Sequence, residues 1–483
     1  MRQLLLLAVV SLLSLPVLSQ THPVDYYLNK APFPMQAIRE PVIPESRFVL
    51  TDYGAVEGGT ALNTVAFKRA IDACAAAGGG HVIVPAGTWL SGPIVLKSHV
   101  DLHVEKGALV LFTPDRSLYP LLRNGHKFEV APPISGRDLE DVSITGEGAF
   151  DGNGQSWRPL KKMKVTAAHW DKVVASGGVV SEDGKIWWPS KEAMNGEQYL
   201  KTLKEGATAD DYLAARDFLR PKMVVITNSS RVLIDGPTFR NSPNFVINPQ
   251  KVSDLVIRNT NVFNEAWAQN GDGIDISACK GVIIYHTTVN AGDDGICMKS
   301  SGDGSSVALS DILIAECIVY RAHGGFVIGS NTDGGMRNIY VTHCLFEGSD
   351  VGIRVKSNKG RGGLVKDIYI DSIRMISIVN EAVSFDTYYE AATLPDGAAL
   401  KIPEFRDFYI SNVICSGAKT AMLFRGLPEM PVHDIHFKNI YIQAGKGVEA
   451  TAIKDIQFKN VKFKTSQQPA IPEDAAPFIK ISL

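Results

Sequence analysis

"KDIYIDSIRMI", Lys366 to Ile376, decides the fold. A basic residue and Asp367 lead into the alternation Ile368, Ile370, then a polar pair, Asp371-Ser372, then a second alternation at Ile373 and Met375. Alternation with a period of two is the mark of a strand, and each half is short. The same eleven-residue figure returns as "SDLVIRNTNVF" (Ser253), "SDILIAECIVY" (Ser310), "RNIYVTHCLFE" (Arg337), "RDFYISNVICS" (Arg406), "HDIHFKNIYIQ" (His433) and "KDIQFKNVKFK" (Lys454). Strand units that recur about every 21 to 40 residues, with little helix between them, specify a solenoid of β-coils.

A second strand series lies between the copies: "GIDIS" (Gly273), "GICMKS" (Gly295), "GFVIGS" (Gly325), "GIRVKS" (Gly352) and "AVSFDT" (Ala382). Ile274 and Ile276, Ile296 and Met298, Phe326 and Ile328, Ile353 and Val355, and Val383 and Phe385 share one face and are expected to stack as core. Asp275, Lys299, Arg354, Lys356 and Asp386 take the other face. The four stacked glycines are expected to leave a floor free of side chains, where a flat ligand can approach the backbone. Cys317 and Cys344 share one repeat position and are expected to be buried, stacked thiols.

The N-terminal part fits the same plan. "NTVAFKRAIDACAAAGGG" puts Phe67, Ile71 and Cys74 on one helical face, with Asn63 as N-cap and Gly78 to Gly80 as the stop. Such a helix covers the open end of a solenoid. Roughly residues 155–220 break the pattern. This stretch holds Trp157, Trp170, Trp187 and Trp188 and two helical stretches, the second opening on the capping box Thr208-x-x-Asp211. It reads as an insertion packed beside the coils, its tryptophans forming a small core of their own.

Composition sets the outer limits. The chain has 483 residues and a formal net charge of −2, which argues against nucleic acid as a partner. Met1-Arg2, the apolar run Leu4 to Leu15 and Val17-Leu18-Ser19 read as a signal peptide over 1–19, leaving 20–483 as one β-helical catalytic domain. No apolar stretch is long enough for a membrane span. An exported protein, periplasmic or secreted, is expected, and a monomer. The six cysteines include no CxxC pair, so a zinc site is not expected, and no cofactor is.

The chemistry gathers around "GDDGICMKSS", Gly292 to Ser301. One coil before Asp293-Asp294 stands "QNGDGID", with Asn270, Asp272 and Asp275. One coil after stands His323 in "AHGGF", and one coil further stand Arg354 and Lys356 in "GIRVKSNKGRGGLVK", which carries no acid. Clustered carboxylates suit acid–base cleavage, because like charges keep one member protonated while the others hold a water. The adjoining basic run suits an anionic substrate. Against this stand three simpler readings: Asp and Gly as ordinary turn formers, a calcium site, and a solvated basic face. The succession of all four motifs at coil spacing favours a site.

Those motifs carry a resemblance. Asn270-Gly271-Asp272, Asp293-Asp294, His323-Gly324 and Arg354-Val355-Lys356 resemble, in order, the signature of glycoside hydrolase family 28, the polygalacturonases. The resemblance runs from about Phe48 to the C-terminus and implies a right-handed parallel β-helix and inverting hydrolysis of α-1,4-linked galacturonic acid in pectin. It implies Asp293 as general acid, Asp272 and Asp294 as the base pair, and His323 as support for the acid. Arg354 and Lys356 would hold the uronate. Asn270, Lys299 and either Tyr388 or Tyr389 join them as substrate-binding candidates. Gly271, Gly292 and Ala322 depart from the family's usual residues and bear on substrate preference. Exo action is expected if the insertion closes one end of the groove. Rival readings are a hydrolase of rhamnogalacturonan or substituted galacturonan, a calcium-dependent pectate lyase, and a non-catalytic polysaccharide-binding β-helix.

Overall fold

The computed structural model describes residues 22–302, 306–389, 400–466 and 468–482; the signal sequence read at 1–19 lies outside them. The chain winds into a right-handed parallel β-helix. Its apolar residues form ladders that run the length of the coil. One ladder pairs Leu102, Ile144, Ile234, Ile257, Ile284, Ile314, Val341, Ile370, Ile410, Phe437 and Phe458 in turn. A second pairs Ile274, Ile296, Phe326, Ile353, Val383, Met422 and Val448. Both ladders are buried in one continuous core.

The polar punctuation of the repeat makes the corners. Asp254, Asp311, Asn338, Asp367, Asp407, Asp434 and Asp455 all take left-handed backbone, as do the mid-repeat residues Asn259, His286, Glu316, His343, Ser372, Asn412, Asn439 and Asn460. Asn and Asp tolerate that conformation better than other side-chain-bearing residues. The left-handed corner recurs twice per coil; Asp or Asn fills the first in these copies, whereas His286, Glu316, His343 and Ser372 share the second with asparagines.

The glycine column does something other than expected. A Cβ on Gly273, Gly295, Gly325 or Gly352 would lie 2.3–2.5 Å from Val289 Cγ1, Val319 Cγ1, Phe346 Cγ or Met375 Sδ respectively. These glycines face the core, where the opposite wall presses against the backbone. They are not the floor of a ligand groove.

The helix Thr64–Ala76 covers the N-terminal end, burying Ala66, Phe67, Ala70, Ile71 and Cys74. Asn63 occupies the N-cap position, but its side chain does not cap. It accepts from Val56 N–H and donates to the carbonyls of Val56 and Ala61 instead. All six cysteines are buried free thiols. The sequence pattern gave no sign of the N-terminal strap. Residues 22–42 run along the outside of the coils, with Tyr27 fully buried against Val256, Ile283, Leu313 and Tyr340.

The insertion holds three helices, Ala167–Ala175, Lys191–Thr202 and Ala209–Tyr212, where two were expected; Thr208 caps the last of these. It also carries a small antiparallel sheet of Leu160–Lys161, Val179–Val180 and Ile186–Trp188. Three of its four tryptophans divide between two clusters, and Trp188 contacts Phe218 instead. Trp170 and Trp187 pack with Leu160, whereas Trp157 packs on Tyr119 and Val130 from an earlier turn. A hairpin, Leu121–Asn124 with Lys127–Val130, stands beside it, joined through the ring contact of Phe128 and Tyr212 at 5.3 Å.

Candidate active site

The strands that start at Ile274, Asp294, Gly324 and Val351 lie side by side, with Asp294 in register with Gly324 and Gly324 with Val351. Strands about 4.8 Å apart bring the turns before them together. Asp272, Asp293 and Asp294 thus each place one carboxylate oxygen within 4.8 Å of the other two.

The three carboxylates occupy different surroundings. Asp294 is sealed, its side chain 2% exposed, with Lys356 Nζ at 2.8 Å and Arg354 Nη1 at 3.3 Å. Burial alone would raise its pKa, yet the charges of Lys356, Lys299 and Arg354 hold it well below the usual carboxylate range. Asp272 is equally recessed, with a side chain 4% exposed, and Lys299 Nζ lies 3.3 Å from one oxygen. Its other oxygen is buried without a hydrogen-bond partner. Burial, reinforced by the charge of Asp275 and only partly offset by Lys299, pushes Asp272 well above the ordinary range. Asp293 is the open one: its side chain is 22% exposed and its Oδ1 lies 2.9 Å from His323 Nδ1. The His323 backbone N–H also donates to Asp293 O.

Lys299 proves to be an internal counter-ion. Its ammonium lies 2.8 Å from Asp275 as well as 3.3 Å from Asp272. Those carboxylates outweigh burial and raise its pKa, so it stays charged. Beside Asp294 and Asp272 the cationic places are thus filled by protein ammonium groups, which leaves little for a calcium ion to neutralise. Of the tyrosine candidates, Tyr389 is at the site, its ring centroid 4.6 Å from Lys356 Nζ and 5.4 Å from Arg354 Cζ. Tyr388 is 46% exposed, and its backbone N–H donates to Asp386 in a local turn.

Three insertion residues, two at the site and one beside it, escaped the sequence reading. Arg220 Nη2 donates to Asn270 Oδ1 at 2.9 Å and Nη1 to Gln269 O at 2.8 Å, so Asn270 faces the insertion. Burial, with Arg158 nearby, lowers Arg220 to about 10. Arg158 is buried and binds Glu265 at 2.9 Å and Ser242 O at 2.9 Å. Lys164 Nζ reaches to 3.5 Å from His323 Nε2. All three come from a segment with no repeat to align against, so nothing local marked them.

Residues 160–467 match the family model described as Glycosyl hydrolases family 28. The chain belongs to glycoside hydrolase family 28. It is 26% identical over 449 residues to an exo-poly-alpha-D-galacturonosidase of Dickeya chrysanthemi, covering 88% of this chain and 72% of the relative. It is 25% identical over 418 residues to a probable polygalacturonase of Vitis vinifera, covering 81% and 73%. Among solved structures, a hyperthermoactive exopolygalacturonase from Thermotoga maritima superimposes with a TM-score of 0.70 at 26% identity, over 88% of this chain and 92% of that one. As a member of the family the protein is a glycoside hydrolase, and its fold is the family's.

Proposed function

We propose that this family 28 member is an exported hydrolase of α-1,4-galacturonosyl linkages in pectin, acting from a chain end with inversion. The observation that carries the mechanism is the asymmetry of the carboxylates. Only Asp293 opens to the cleft, while Asp272 and Asp294 sit recessed beneath Lys299, Lys356 and Arg354. A recessed carboxylate reaches the anomeric carbon through a water, not directly, which favours a single displacement.

In this reading Asp294, held ionised, accepts the proton of the attacking water, and Asp272 orients that water through its unpartnered oxygen. Asp293, the open carboxyl of the three, protonates the leaving oxygen, and His323 orients it. Arg354, Lys356 and the Tyr389 ring form a cationic and aromatic wall for a uronate ring. Exo action is supported by the reach of the insertion to His323 and Asn270, and by the names of the Dickeya and Thermotoga relatives.

The test is a digest of de-esterified polygalacturonate followed by proton NMR and chromatography. Expected are saturated products, insensitive to chelator, whose new reducing end appears first as the β-anomer, with one short product throughout. An α-anomer at the start would overturn inversion; mixed oligomers would overturn exo action; unsaturated products would replace the hydrolase with a lyase.

A further inference from the structure

We propose that Arg220 is a positioning residue of the reaction centre: its guanidinium clamps the turn Gln269-Asn270-Gly271 and so fixes where the Asp272 carboxylate points. The proposal rests on the role of Asp272 given above, the orienting of the attacking water.

Asp272 is poorly fixed by its own contacts. One carboxylate oxygen has Lys299 at 3.3 Å and the other has no hydrogen-bond partner. A side chain held from one side takes its aim from the backbone that carries it. From Asp272 onward that backbone is set by the coils: Val246 N–H donates to Asp272 O, and Gly273 N–H to Asp294 O, both at 2.9 Å. Ahead of Asp272 the chain has left the ladder. It departs after Asn264, turns through Glu265 to Ala268 and returns through Asn270 in left-handed backbone, φ 53°. On one side the return is held at Gly271 O, which accepts from Asn264 Nδ2 and from Gly292 N–H, each at 3.2 Å.

Arg220 supplies the hold on the other side. Nη1 donates to Gln269 O at 2.8 Å and to Pro243 O at 3.3 Å, and Nη2 donates to Asn270 Oδ1 at 2.9 Å. A planar fork that reaches two consecutive residues fixes direction as well as distance. Its own place is set where the insertion rejoins the coils: Pro221 follows, and Asn244 Nδ2 donates to Arg220 O. Arg158 holds the start of the same loop through Glu265, at 2.9 Å, so the insertion grips the loop at both ends.

The clamp works through geometry rather than charge. All three acceptors of Arg220 are neutral, and the charge that acts on the guanidinium is that of Arg158. The charges that act most on Asp272 are those of Asp275, Lys299, Asp293 and Asp294. A recessed cation beside a second arginine, bonded to carbonyls alone, is a costly brace for a loop. What it secures is two donors in one rigid plane, which an ammonium cannot reproduce.

The test is a double-mutant cycle on the full-length protein with polygalacturonate as substrate. R220K keeps the charge and loses the fork; N270G removes the acceptor and accepts left-handed backbone; the third variant combines them. R220K and N270G are each expected to lower kcat about 10- to 100-fold with KM little changed, and the double variant to fall no further than the less active single one. Melting temperatures are taken on the same samples. An R220K variant with wild-type kcat overturns the clamp, as do losses that multiply in the double variant, or a lower melting temperature with kcat per folded molecule unchanged. Should R220K fail to fold, N270G decides: an unchanged kcat, or a change confined to KM, overturns the clamp. A wild type inactive on polygalacturonate overturns the functional reading, and the clamp with it.

Discussion

Asp272, Asp293 and Asp294 have one chemistry and three environments, and each environment predicts a different mutant. Asp293→Asn removes the one carboxyl of these three that opens to the cleft. A loss of about 10²- to 10⁴-fold in turnover is expected, with little change in melting temperature, because the side chain is partly exposed and its hydrogen bond is to His323. Reducing-end release and calorimetry on the same sample check both halves. Asp272→Asn should lose activity too, yet gain stability. The folded-state pKa of Asp272 lies above its unfolded value, so between the two the native state binds the extra proton and stability falls as pH rises. An amide at 272 removes that penalty, and Lys299 keeps Asp275 as its partner. The variant is expected to melt above the wild type at pH 7, with the difference shrinking towards pH 4. A lower melting temperature at pH 7 would show that Asp272 is ionised in the native protein. Asp294 has the opposite sign: its stabilising contribution is present above the unfolded carboxylate pKa and fades only as pH falls through its depressed folded value.

At this scale the sequence carried the charged motifs well, since coil spacing turns distance along the chain into adjacency. It could not carry their protonation. Asp272 and Asp293 both read as Asp in a glycine-rich turn, and only burial and the fourth carboxylate, Asp275, separate them. Lys299 likewise read as a residue open to substrate because the alternation put it on the outer face. The structure gives it two carboxylate partners, which the alternation could not show.

At the scale of elements, the glycine column shows how a correct pattern can be given the wrong cause. Glycines at four equivalent positions were legible, but whether the missing side chain points at a ligand or at the opposite wall depends on the facing strands. It points at Val289, Val319, Phe346 and Met375. Gly325→Ala tests this without touching a charged group. Its Cβ would lie 2.4 Å from Phe346 Cγ and 2.8 Å from Gly352 O, a ring and a backbone that cannot both give way. A destabilisation of about 1–3 kcal/mol is expected, read from denaturant unfolding. If the role were to clear a ligand floor, the variant would keep its stability and lose substrate affinity. The insertion and hairpin were the least legible elements. They lack the repeat, and Arg220 and Lys164 reach the site by tertiary contact alone.

For the whole molecule, the repeats account for the solenoid but not for its cooperativity. Coils that touch only their neighbours can unravel from an end. The N-terminal strap counters this by fastening distant coils to one another. Val42 N–H donates to Asp141, Arg39 pairs with Asp254, Glu40 with Arg258, Tyr27 Oη with Glu316, and Phe33 packs on Tyr369. Together these contacts span seven consecutive coils, and Tyr27, fully buried, is their anchor. Tyr27→Ala should cost about 3–5 kcal/mol, as for other large buried aromatics, and free the strap from Ile283 and Leu313. The expected signature is a change of shape as well as position: calorimetry should show one sharp transition in the wild type and a broader, earlier or divided one in the variant. Amide exchange should quicken in the coils beneath the strap while the C-terminal coils, beyond Phe408, keep their protection. A transition that shifts without broadening, with exchange raised evenly along the chain, would mean that the coils are cooperative by stacking alone and that the strap adds only its own contacts.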